Sequence, residues 1–191
     1  MIPKSDLQFA VLVGSLRKES FNRSIANTLD ELAPEHVQVS LLGSVEDIPH
    51  YSADAQTIGF PSHVAQMAEA ITGADAVIIV TPEYNFSVPG ALKNALDWLS
   101  RVTPQPLRRK PVAIQTASPG MLGGVRAQFH LRQILVSMDA RVLNRPEVII
   151  GGIADKIDRV SKLLRDHDTR EVVGTQLAAL AELARETGRR E

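Results

Sequence analysis

Apolar residues along this chain fall into two kinds of pattern that alternate from one end to the other. The first is the short apolar run, at residues 9–13, 77–81 and 111–118; of these, 77–81 is β-branched throughout with no polar alternation, which suits a strand buried on both faces of a parallel sheet. Residues 37–42 alternate like a further strand. The second pattern places apolar residues three or four apart. It recurs at Ile25, Ala26, Leu29 and Leu32; at Val64, Met67, Ala68 and Ile71; at Leu92, Leu96 and Leu99; at Leu131, Ile134, Leu135 and Met138; and at Val173, Leu177, Leu180 and Ala184. Each set predicts a helix with one face on the sheet. Pro34 ends the first helix, Pro61 opens the second, and Gly73 stops it. Two segments, 140–143 and 148–150, compete for the fifth strand. The polar connection 43–60, with Asp47, Pro49, His50 and Tyr51, is long enough to suggest a function or a covering role.

About five strands alternating with helices imply right-handed βαβ units and a sheet covered on both sides. The expected fold is α/β and flavodoxin-like: three layers, with five parallel strands in the order 2-1-3-4-5. One domain spans 1–191, and a last helix over about 168–187 packs on it. In that strand order the loops after the first, third and fourth strands meet at the topological switch point, where open α/β sheets bind ligands. They read GSLRKESFN, TPEYNFSVPG and SPGMLGG.

Composition narrows the chemistry. Charged residues make up 23% and hydrophobic ones 44%, with a formal net charge of -1, so neither disorder nor bulk attraction to nucleic acid or an anionic membrane is indicated. The absence of cysteine removes thiolate chemistry. The five histidines lack metal-ligand spacing, and no metal is assigned. No signal peptide or membrane-length apolar run is expected, and the protein reads as cytoplasmic.

The first loop sets Gly14, Ser15, Arg17, Ser20 and Asn22 between a strand and a helix N-terminus, a combination that suits a phosphate. The structural alternative has Ser20 and Asn22 capping the helix and Arg17 solvated. Neither GxGxxG nor GxxxxGK[ST] is present, so a monophosphate fits better than a dinucleotide or a P-loop ligand. The second loop, with Pro82, Glu83, Tyr84 and Asn85, offers main-chain groups to the edge of a planar heterocycle; a rigid turn is the plain alternative. In the third, Gly120, Gly123 and Gly124 let a ring approach the backbone, unless this is an ordinary turn. A phosphate cradle joined to two ring-sized loops describes flavin mononucleotide (FMN).

The stretches GSLRKESFNRSIA, TPEYNFSVPGALKNALDWLS and SPGMLGGVRAQFHLRQIL resemble the NADPH-dependent FMN reductase family, in its bacterial chromate and quinone reductase branch. The resemblance runs from about Phe9 to Gly152. It implies bound FMN, two-electron transfer from NADH or NADPH to quinones, and incidental reduction of chromate. It also implies that Ser15, Arg17, Ser20 and Asn22 meet the flavin phosphate, that Pro82, Glu83, Tyr84 and Asn85 form the ring loop, and that Ser118, Gly120 and Gly123 make the third contact. Family members are similar in forming dimers or tetramers, and the resemblance places Arg126 and Glu147 as partners across a tetramer interface. Phe129 stands where relatives carry tyrosine. The flavin does the chemistry, so no side chain is named as a catalytic acid or base.

Outside the three loops, Arg101 is a candidate for drawing anionic acceptors or the NADPH phosphate toward the opening, and otherwise complements a helix C-terminus. His50 and Tyr51 could cover a neighbouring subunit's flavin or belong to a surface loop. Two other functions fit the fold: a one-electron flavodoxin carrier, disfavoured by the near-neutral charge, and a flavin-free regulatory or scaffold protein.

Overall fold

The computed structural model describes residues 7–188. Its strands are β1 (Leu7–Val13), β2 (Val37–Leu41), β3 (Ala76–Thr81), β4 (Pro111–Ala117), β5 (Arg141–Val142) and β6 (Val148–Ile150). The helices are α1 (Phe21–Leu32), α2 (Ala53–Ile58), α3 (Ser62–Gly73), α4 (Gly90–Leu99), α5 (Val125–Val136) and α6 (His167–Gly188). All strand pairs are parallel, in the order β2-β1-β3-β4-β5, with β6 also on β4. This is the flavodoxin-like arrangement that the alternating patterns predict.

Period-two alternation divides the buried strand residues between two cores. Leu7, Phe9, Val11 and Val13 of β1, with Ala76, Ile78 and Val80 of β3, face α1 and α6. Ala10 and Leu12, with Val77, Ile79, Val112 and Ile114, face α3, α4 and α5. A chain whose strands are covered on both sides needs unbroken apolar runs, which is why the runs carry no polar alternation. The apolar face expected of the last helix, Val173, Leu177, Leu180 and Ala184, is buried in the first of these cores.

The fifth position of the sheet departs from the expectation of one strand. Both candidate segments serve: β5 pairs with Pro111 and Val112 at the start of β4, and β6 with Gln115 to Ala117 at its end. Between them the chain bulges through Pro146, which has no N–H to give to a ladder. Gln176 of α6, 1% exposed, fills the break. Its Nε2 donates to the carbonyls of Ile114 (3.3 Å) and Pro146 (2.9 Å), and its Oε1 accepts from Gln115 Nε2 at 3.0 Å. The buried carbonyls left by the interrupted ladder are thereby satisfied.

The long connection 43–60 contains α2 and folds against α4. Trp98 Nε1 donates to Pro49 O at 2.8 Å, and the Tyr51 ring meets Trp98 edge-on at 5.2 Å. Among the described residues no helix is long and apolar enough to cross a membrane.

Candidate functional site

The loop after β1 leaves the sheet at Gly14, whose N–H still donates to Val80 O (2.9 Å). Ser20 then caps α1, its hydroxyl accepting from Arg23 N at 3.4 Å. Between these points the backbone amides of Leu16, Lys18, Glu19, Ser20, Phe21 and Asn22 meet no acceptor among the described residues. Ser15, Ser20 and Asn22 are buried while Arg17 is exposed. Asn22, 4% exposed, donates Nδ2 to Ala117 O at 3.2 Å, yet its Oδ1 has no partner. A buried acceptor without a donor is costly. The donor set, two hydroxyls, open amides and a guanidinium at a helix N-terminus, suits a phosphate, and the orphaned oxygen beside it suits a ligand hydroxyl.

The loop after β3 turns back on itself. Tyr84 and Ser87 exchange backbone hydrogen bonds of 2.9 and 3.0 Å, with Asn85 (φ 48) and Phe86 (φ 67) both left-handed between them. Asparagine tolerates that conformation but phenylalanine seldom adopts it, so the surroundings must hold the turn. The Arg126 guanidinium lies 4.3 Å from the Phe86 ring centroid, and His130 Nδ1 lies 3.0 Å from Ser87 Oγ. Glu83 completes the clasp. Its Oε2 accepts from the amides of Arg126 (3.0 Å) and Ala127 (3.3 Å) at the start of α5, and its Oε1 pairs with the Arg126 guanidinium at 3.3 Å. Charge-assisted bonds of this kind are about twice as strong as neutral ones. Glu83→Gln should therefore lower unfolding free energy by about 1 kcal/mol; an unchanged denaturation midpoint would show that the carboxylate's charge is idle.

The loop after β4 rests on the segment beyond β6. Ser118 N donates to Ile150 O (3.1 Å), Ile153 N to Ser118 O (3.3 Å) and Gly152 N to Gly120 O (3.3 Å). A Cβ on Gly120 would meet only Ser118 Oγ, at 3.8 Å, so that side of the loop is open. Gly123 differs: a Cβ there would lie 2.8 Å from Gly151 N and from Ile149 Cγ2. Its bare side faces the sheet edge.

These loops enclose a small cavity of about 100 Å³ between Ser15, Arg17, Ser20, Asn22, Pro82 to Tyr84 and Ser118. The expected convergence at the carboxyl ends of the strands is therefore present. The sequence model of the NADPH-dependent FMN reductase family matches residues 7–155, which include every residue around this cavity. The chain belongs to the NADPH-dependent FMN reductase family. It is 53% identical over 177 residues to a quinone reductase of Escherichia coli K12, covering 92% of this chain and 94% of the relative. With an NAD(P)H-dependent FMN reductase of Pseudomonas aeruginosa it shares 42% over 175 residues, 92% and 94% of the two chains. Among solved structures, the flavoenzyme NAD(P)H:(acceptor) oxidoreductase of Paracoccus denitrificans superposes with a TM-score of 0.84 at 32% identity, over 95% of this chain and 98% of the other.

Within this family frame the predicted residues divide. Ser15, Arg17, Ser20, Asn22, Pro82, Glu83, Tyr84 and Ser118 share the cavity. Glu83 lines the cavity while its carboxylate is turned to the start of α5. Asn85 sits at the exposed tip of the turn. Arg101 is not brought to the cavity: α4 carries it away by ten residues, about 15 Å at 1.5 Å per residue, and its guanidinium lies 5.2 Å from the Tyr51 ring centroid. Tyr51 itself packs on Trp98. Arg126 and Glu147, expected to pair between subunits, have separate partners within the chain, Glu83 for the first and Arg132 (3.5 Å) for the second. Phe86, Gly151 and His130 were outside the predicted set because their roles depend on contacts across the fold that no local pattern marks.

Proposed function

We propose that this chain is an FMN-dependent NAD(P)H:quinone oxidoreductase, as its relatives' names suggest for them. The observation that carries the reading is the unpaired donor set of the β1–α1 loop converging with the two ring-sized loops on one cavity. When bound, FMN accepts a hydride and passes two electrons on. Ser15, Ser20, Arg17 and the open amides hold its phosphate, and Asn22 Oδ1 accepts from a hydroxyl of the chain next to it. The main chain of Pro82 to Asn85, with Ser118 and Gly120, meets the ring edge. No side chain acts as a general acid or base; the protein orients its partners.

With one opening among the three loops, nicotinamide and quinone enter in turn. Chromate and other oxidised compounds are incidental acceptors. Rates measured over a grid of NADPH, NADH and benzoquinone concentrations should give parallel double-reciprocal lines. Intersecting lines would overturn alternation at one opening, and no turnover by the FMN-loaded protein would overturn the function.

The same reading includes a homodimer or homotetramer in the cytoplasm, with Arg126 and Glu147 near the contact. Exposed Phe86 on the second loop, Met121 and Leu122 on the third, and Phe129 on α5 support it, since exposed apolar residues gathered on a face mark association surfaces. Sedimentation should give a mass of two or four chains; a monomer at micromolar concentration would remove this part.

A further inference from the structure

A second and larger cavity, of about 400 Å³, continues past the flavin phosphate loop between the first turns of α1 and residues 154–162. It shares Arg17, Ser20 and Phe21 with the three-loop cavity, so the two border the same loop at the phosphate end and not at the ring end. Its size is that of a small-molecule site, roughly 300–1,000 Å³.

The charge of its lining is lopsided. Arg17, Lys18, Arg23, Arg159 and Lys162 all border it, and none forms an ion pair among the described residues. Two carboxylates, Glu19 and Asp158, face these cations. Asp158 is already committed: it accepts from the amides of Val160 (2.9 Å) and Ser161 (2.7 Å) and from the Ser161 hydroxyl (3.0 Å). Unpaired like charges gathered around a concavity raise its potential and favour an anion within it.

The turn that carries two of the cations has a fixed backbone. Arg159 and Lys162 sit on a tight turn closed by an antiparallel bridge between Ile157 and Leu164, by Asp158 N to Leu163 O (2.9 Å) and by Lys162 N to Asp158 O (3.0 Å). Lys162 is itself left-handed, with φ 59. Between the cations lies apolar surface from half-buried Phe21 and from Ile157. Positive charge around an apolar wall is the chemistry of a nucleotide site: phosphate on the cations, base on the wall. A flavin monophosphate has no use for this groove, because Ser15, Ser20, Arg17 and the open amides already account for its one phosphate.

We propose that the groove is an adenosine-phosphate subsite joined to the flavin phosphate site. This rests on the FMN reading given above. The same chemistry has two sources: the adenylate half of flavin adenine dinucleotide (FAD), continuing from the flavin phosphate at Arg17, or the 2′-phosphoadenosine of NADPH lying alongside it.

The double variant Arg159→Ser/Lys162→Ser changes only the exposed turn and provides the test. Protein stripped of flavin is titrated with FMN and with FAD by fluorescence quenching, and FMN-loaded protein is titrated with 2′,5′-ADP by calorimetry. The variant should bind FMN as the wild type does, which also reports that it is folded. If FAD is the source, the variant loses about tenfold or more in FAD affinity. If NADPH is the source, the loss of that size falls on 2′,5′-ADP. Equal binding of FAD and of 2′,5′-ADP by variant and wild type overturns the subsite while leaving the FMN reading intact. Wild-type apoprotein that takes up no FMN overturns the flavin reading and this inference together.

Discussion

Gly14→Ala should cost about 2–3 kcal/mol of stability, the scale of overpacking a full core, and should weaken FMN binding about tenfold or more. A Cβ at this position would lie 2.4 Å from Thr81 Oγ1 and 2.9 Å from Leu92 Cδ2. Neither neighbour can withdraw. Thr81 is fully buried and its hydroxyl donates to Pro82 O at 3.1 Å, while Leu92 is fully buried on the inner face of α4. The strain must be relieved by separating the end of β1 from the end of β3. That separation carries the Ser15–Ser20 loop away from Pro82 and Tyr84, so the damage reaches the cavity as well as the core. Denaturation of the apoprotein and a flavin fluorescence titration measure the two effects. Wild-type values in both would show that the sheet yields at this point without opening the site.

The second large effect is expected at Gly151, on the other side of the cavity. A Cβ there would lie 2.3 Å from Met121 O, 2.9 Å from Met121 C and 3.2 Å from Gly120 O. All three are main-chain atoms, so no rotamer change relieves the clash, and the loop 118–122 has to lift from its seat. Gly151→Ala should therefore lower FMN affinity about tenfold or more and destabilise the fold by about 2 kcal/mol. Its neighbour supplies the control. Gly152 has φ 61, and a Cβ on it would meet nothing within 4 Å. Gly152→Asn, which tolerates the left-handed conformation, should stay within about 0.5 kcal/mol of wild type and keep its flavin. If both variants bind FMN normally, the third loop is not held by its contact with Gly151.

How much of this was legible in the sequence depended on the range of the contacts involved. The buried strands were readable because a run such as 77–81 has no polar alternation, and the strand order followed from the alternation of runs with helical spacing. The grouping of Ser15, Arg17, Ser20 and Asn22 around one cavity was readable for the same reason, since they lie within eight residues of one another. The place of Glu83 on the cavity wall was legible, but not its orientation. Its partners are the amides of Arg126 and Ala127, more than forty residues further along the chain. The split fifth strand was invisible in the same way, because the group that mends it, Gln176, comes from a helix that looks merely amphipathic. Arg101 illustrates the converse: it is close in sequence to the ring loop, yet α4 lies between them and its guanidinium rests over Tyr51, outside the cavity lining.

The mend in the fifth strand bears on how the protein is made. Synthesis proceeds from the N-terminus, so β1, β3 and β4 with their loops leave the ribosome well before α6 does. Until Gln176 emerges, the carbonyls of Ile114 and Pro146 lack their donor, and β6, the shelf under the third loop, has no helix beside it. A nascent chain halted short of residue 176 thus already contains every residue of the proposed flavin cavity. Its capacity to trap cofactor, however, should arise only once the last helix has emerged and docked on the sheet.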